Sequence, residues 1–246
     1  MPQEFNSVNE EIKNEAKKVW QSKTGKERAK YFVYYYKVHF IVGVVVICLL
    51  ASMIHFFATR KDCIFQVLVV NGQSVDLLDY NSFIDGFAKT ITYNEKKEEL
   101  IIDPNYLIDV YAADQYNQTN IQKVFMNVAV GEIDVMLCDE DFMKFARAQD
   151  CAYDLTTVLP EDELKKYEDK LVWYDFPFEE VGIEGYEQEY EQDYKGRYEA
   201  LSIDITDFEK IKEYDMFPNK KGYAIIISNT SHLERAIEFL EYLDTP

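Results

Sequence analysis

Few side chains in this chain are equipped for chemistry. There are three histidines, His39, His55 and His232, and only the last lies outside an apolar run near the N-terminus. A nucleophile–base pair or a histidine metal site needs partners, and no GxSxG, HExxH or second histidine accompanies His232. It stands just before a helical pattern and reads as a helix N-terminal residue rather than a catalytic base. The acidic clusters Asp139-Glu-Asp141 and Glu161-Asp-Glu163 lack the alternating spacing and central glycine of a calcium loop. Glu161 to Glu163 follow Pro160 and fit the first turn of a helix, where negative charge meets the positive end of the dipole. No phosphate-binding loop and no GxGxxG is present. The expectation is no catalytic constellation, no metal, no cofactor, and a protein that is not an enzyme.

Cys63, Cys138 and Cys151 follow the apolar run, an odd number that argues against a fully paired framework. Cys138 and Cys151 would pair if the chain between them folded back; buried free thiols are the preferred reading.

The charge is distributed unevenly. Residues 1–58 hold eight Lys or Arg against five Asp or Glu, whereas residues 59–246 hold 18 against 40. A polyanionic partner would meet a repelling surface, so nucleic acid is excluded. The sign changes across Val38 to Ala58, a run of 21 residues without Asp, Glu, Lys or Arg. As a helix it is about 30 Å long, the thickness of a bilayer's hydrocarbon core. Tyr31, Tyr34, Tyr35 and Tyr36 before it and Phe56 and Phe57 at its end fit an aromatic belt. The stretch before it, 1–37, is too long for a signal peptide's charged region. Lys23, Lys26, Arg28, Lys30 and Lys37 on one side outweigh Arg60 and Lys61 on the other. The positive side stays in the cytoplasm, so the C-terminal domain is expected outside the cell membrane. Thr24-Gly-Lys-Glu27 reads as a capping box that opens the helix. Residues 3–22 read as a weakly amphipathic or unstructured stretch. Only Thr59 to Asp62 link helix to domain, a reach of about 14 Å.

From 63 to 246 apolar runs alternate with helical periodicity. Ile64 to Val70, Leu100 to Ile102, Tyr106 to Tyr111, Ile133 to Cys138 and Gly222 to Ser228 read as strands. Asp79 to Thr90, Asn120 to Val130, Glu140 to Ala148, Pro160 to Tyr167 and Ser231 to Leu243 read as helices, with Gly131 as a C-cap. Strand–helix alternation predicts an α/β fold with a mainly parallel sheet. Gly182 to Tyr198, acidic and rich in tyrosine, reads as a solvated loop or a sticky patch for a basic partner or a cationic ligand.

Gly131-Glu-Ile-Asp134-Val-Met, followed by Asp141-Phe-Met-Lys-Phe-Ala146 and Tyr153-Asp-Leu155, resembles a segment of bacterial extracellular solute-binding proteins. Tyr223 to Ser228 with Ala236-Ile-Glu-Phe-Leu-Glu-Tyr-Leu243 is similar to their C-terminal strand and helix. The resemblance covers about a third of the domain and implies a membrane-anchored form of the kind found in clostridia-like Gram-positive bacteria. It implies a periplasmic-binding-protein-like domain of one lobe, since about 184 residues follow Asp62. In open α/β sheets ligands lie beyond the carboxyl ends of strands, which points to Asn71, Gly72, Asp139, Glu140 and Asp141. The function expected is recognition of a solute or a partner near a transporter or receptor. The alternative is a structural or assembly protein of an envelope complex.

Overall fold

The computed structural model describes residues 24–175 and 198–246, together with Glu10, Glu11, Lys13, Asn14, Lys17 and Lys18, which are helical. The rest of the 3–22 stretch, the segment 182–197, and the side chains of Glu27, Arg28, Tyr31, Phe32, Tyr35, Tyr36 and Asp175 lie outside the described residues. The chain divides after Arg60 into two compact units.

The first unit is carried by helix α1, Gly25–Thr59. It begins directly after Thr24. Within it Lys37–Thr59, 23 residues with a mean hydropathy of 2.7, has no part buried in protein. It is the one helix among the described residues long and apolar enough to cross a membrane. Exposed Phe40, Ile47, Leu49, Ile54 and Phe57 would be unstable in water at this density and are at home in hydrocarbon.

The second unit is a six-stranded sheet in the order β2-β1-β3-β6-β5-β4. Its strands are β1 (Asp62–Val70), β2 (Glu98–Tyr106), β3 (Val135–Asp139), β4 (Leu171–Asp175), β5 (Tyr198–Asp204) and β6 (Gly222–Ile226). Helices α2 (Tyr80–Ala88), α3 (Gln115–Ala129), α4 (Glu140–Arg147), α5 (Leu155–Val158), α6 (Glu161–Lys166), α7 (Glu209–Glu213) and α8 (Leu233–Leu243) surround it.

The sheet is mixed, not mainly parallel. β1 runs parallel to β2 and β3, but β3–β6, β5–β6 and β4–β5 are antiparallel. A parallel return needs a crossover as long as the strand, usually a helix. α2 and α3 provide it between the first three strands. Between β5 and β6 there is only the five-residue α7, too short to carry the chain back, so the direction reverses.

Pleat alternation buries both faces. Phe65, Val67 and Val69 of β1 join Leu137 of β3 on one face, under α2 and α8. Leu68 and Val70 join Met136 and Cys138 on the other, under α3 and α4. The first layer is aromatic: Phe239 of α8 lies 5.0 Å from Phe87 and 5.3 Å from Phe65 by ring centroid. The α2 stripe of Tyr80, Phe83, Ile84 and Phe87 is buried as its spacing predicts, behind an Asp79 cap that accepts from the Ser82 amide.

Other expectations need correction. α3 begins at Gln115, five residues before the expected start, because Asp114 caps it by accepting from the Tyr116 and Asn117 amides. β2 runs through Pro104 to Tyr106 as an edge strand, where the missing N–H breaks no rung, and Leu107 to Tyr111 are not a strand. β4, β5 and α7 were not anticipated, and Tyr198 starts β5, stacked 4.8 Å from Trp173. The cysteines are free; Cys138 and Cys151 are buried, but Cys63 is exposed. Cys138 and Cys151 are therefore not joined in a disulfide.

Candidate functional site

Strand direction gathers one polar edge. β1, β2, β3 and β5 end there, and β6 begins there, which brings Asn71, Ile108, Asp139, Asp204 and Lys220 to the same side of the sheet.

Asn71 follows β1 with φ of 59°, a left-handed conformation that asparagine tolerates. Its side chain mimics a strand rung: Oδ1 accepts from the Ile108 amide at 2.7 Å and Nδ2 donates to the Ile108 carbonyl at 2.8 Å. The same Nδ2 donates to Asp139 Oδ1 at 3.1 Å. Asp139 is 6% exposed and caps α4, accepting from the Phe142 amide at 3.1 Å. Its Oδ2 meets Lys220 Nζ at 3.0 Å. A buried carboxylate demands such partners, and here two hydrogen bonds and one cation supply them. The Lys220 side chain is half exposed, so its ammonium faces both the carboxylate and solvent.

The five residues predicted at strand ends fall as follows. Asn71 and Asp139 touch. Gly72 adjoins them for a packing reason: a Cβ there would lie 2.6 Å from Val69 Cγ1 and 2.8 Å from Tyr80 Oη. Glu140 and Asp141 sit on the first turn of α4, outside the Asn71–Asp139–Lys220 network. Glu140 pairs with Lys144 at 2.8 Å, and that hydrogen bond holds its carboxyl below the ordinary range. Lys220 was missed, since nothing in the turn Pro218 to Lys221 marks it as the partner of a residue 81 positions earlier.

Beside this edge the β1–α2 loop and the end of β2 border an open groove of about 550 Å³, lined by Val75, Leu77, Asp79, Ile102 and Pro104 among others.

The opposite edge holds a second polar cluster that sequence reasoning also missed. Asp134, 2% exposed, precedes β3. Its Oδ2 accepts from the Gln66 amide at 2.7 Å, and its Oδ1 accepts from Thr230 Oγ1 and lies 3.0 Å from His232 Nδ1. Thr230 Oγ1 accepts in turn from the His232 amide at 2.9 Å. Ser231 Oγ lies 3.5 Å from His232 Nε2. The order serine, histidine, aspartate is that of a nucleophile, base and orienting acid. The serine contact is at the outer limit of hydrogen bonding. The stronger part of the cluster is structural: Asp134 ties β1 to the turn after β6, and His232 takes the N-cap position of α8. The sequence signal was available, an aspartate inside the apolar run Ile133 to Cys138. An open groove of about 630 Å³ adjoins it, lined by Ile64, Glu98, Ser231, His232, Arg235 and Glu238 among others. No group of three or more metal-ligating side chains forms among the described residues.

Comparison with known proteins returned nothing: no protein family matches the chain, and no curated protein or solved structure is similar to it.

Proposed function

We propose that this chain is a single-pass membrane-anchored recognition domain, non-enzymatic, with its N-terminus in the cytoplasm and its α/β domain outside the cell. The observation that carries the reading is the 23-residue helix Lys37–Thr59, apolar and unburied, joined to a compact domain by only Arg60 and Lys61. The excess of cations before that helix supports the orientation. The likeness to one lobe of a solute-binding protein fits a recognition role. A solute-binding cleft closes between two lobes, however, and the second unit has a single sheet. Its strand-end polar groups already satisfy one another, and the two grooves described above are open. That geometry favours a protein partner, such as a transporter or receptor in the same membrane, over a small enclosed solute.

A thermal-shift screen of the detergent-solubilised full chain against sugars, amino acids and short peptides tests the choice. No shift is expected. Saturable stabilisation of several degrees by one small solute would replace the protein-partner reading with solute binding.

The Asp134–His232–Ser231 order favours a second reading, an acyl hydrolase with Ser231 as nucleophile. A fluorophosphonate probe decides it: labelling of the full chain that disappears in Ser231→Ala would establish that reading, and absence of labelling removes it.

A further inference from the structure

We infer that the groove between the β1–α2 loop and the C-terminal half of β2 receives a cationic, amphipathic segment of a partner protein. The inference rests on the recognition role proposed above and names the chemistry of what is recognised.

The groove wall is apolar where it meets solvent. Val75 is 53% exposed and Leu77 75%, and both line the groove with Ile102 and Pro104. Leu107, at the start of the β2–α3 loop, is also exposed but does not line the groove. A single exposed leucine is ordinary, but Val75 and Leu77 share one groove with Ile102 and Pro104, a surface that gains by being covered.

The two chain segments that carry this surface contribute charge of one sign, although the half-exposed Lys220 stands beside Asn71 on the same edge. No Lys or Arg occurs from Asn71 to Ala88 or from Glu98 to Gln122. Asp76, Asp79, Asp103, Asp109 and Asp114 lie in or beside the two loops. Asp79 and Asp114 are anchored as helix caps, and hydrogen bonds from Ser82 and from Asn117 hold their carboxyls below the ordinary range. They are therefore charged at neutral pH. A matching partner presents cations around an apolar centre, and an anionic lipid surface is repelled.

The mode of docking follows from β2. It is the edge strand, and an added strand would need its outward amides, but Pro104 has no N–H to give. The partner is held by side chains in a groove, as an amphipathic helix is.

The test uses the full chain in neutral-lipid nanodiscs and a helical leucine–lysine peptide of about 18 residues, five turns. A scrambled peptide of the same composition lacks the apolar face. Amide hydrogen exchange is read at residues 73–79 and 102–106. Protection of both stretches at micromolar peptide and ~0.15 M salt is expected, with none from the scrambled peptide. In Val75→Ser/Leu77→Ser the apparent affinity should fall by roughly tenfold or more. In Asp76→Asn/Asp79→Asn, which keeps the α2 cap, its salt dependence should weaken. Protection elsewhere, equal protection in the serine variant, or protection by anionic phosphatidylglycerol vesicles would overturn the inference. A protein that co-purifies equally with wild type and the serine variant would leave the recognition role standing and remove this groove as its seat. A chain that retains no partner in either form would fail the recognition role itself.

Discussion

Asp139 Oδ2 and Lys220 Nζ, 81 positions apart in sequence, meet at 3.0 Å beside the Asn71 amide. This contact joins the end of β3 to the turn before β6. Because Lys220 is half exposed, water screens the pair, and Lys220→Met is expected to cost only about 1 kcal/mol. Asp139→Ala removes the α4 cap and a partner of Asn71 as well, and should cost about 2–3 kcal/mol. Thermal midpoints of the full chain in detergent check this, at roughly 2–4 °C per kcal/mol. Equal shifts for the two variants would contradict it.

Asp134 is the more deeply committed carboxylate. Asp134→Ala strands the Gln66 amide and releases Thr230 and His232, for an expected loss of about 3–4 kcal/mol. His232→Ala removes a half-exposed partner and should cost about 1 kcal/mol. The ratio of the two midpoint shifts checks the claim that the cluster is chiefly structural.

Gly72→Ala should destabilise by about 1–3 kcal/mol, because its Cβ meets Val69 Cγ1 at 2.6 Å. Combining it with Val69→Ala relieves the contact, so the double variant should lose less than the sum. Strict additivity in a double-mutant cycle would show that the glycine is not needed for close approach.

Four buried tyrosines set an alkaline limit. Burial pushes the phenols of Tyr80, Tyr167, Tyr223 and Tyr242 from 10.0 up to about 12. Folding thus favours their neutral, protonated forms. That contribution is fully present below pH 10 and is lost as pH rises from 10 towards about 12, where the unfolded chain binds fewer protons. Stability measured across this window should fall, and Tyr242→Phe should reduce the slope. A slope unaffected by that substitution would contradict the assignment.

Much of this fold is readable from local pattern. The spacing of Tyr80, Phe83, Ile84 and Phe87 identifies α2, and alternation through Phe65, Val67 and Val69 identifies a strand buried on both sides. What local pattern does not carry is strand direction. β6 looks the same from sequence whether it runs with β3 or against it; the short α7 settles only its direction against β5. The site divides in the same way. Asn71 and Asp139 follow from their place at strand ends, whereas Lys220 and His232 gain meaning only from partners 81 and 98 positions away.

Cysteine labelling tests the membrane topology most directly. Cys48 lies in the apolar helix, Cys138 and Cys151 are buried, and Cys63 is exposed just beyond the helix. Burial of part of its surroundings raises the Cys63 thiol above its ordinary range, so labelling is best done at mildly alkaline pH. A membrane-impermeant maleimide added to intact cells should label the wild-type chain and leave Cys63→Ser unlabelled. Labelling of Cys63 only after lysis would put the domain in the cytoplasm and contradict the account.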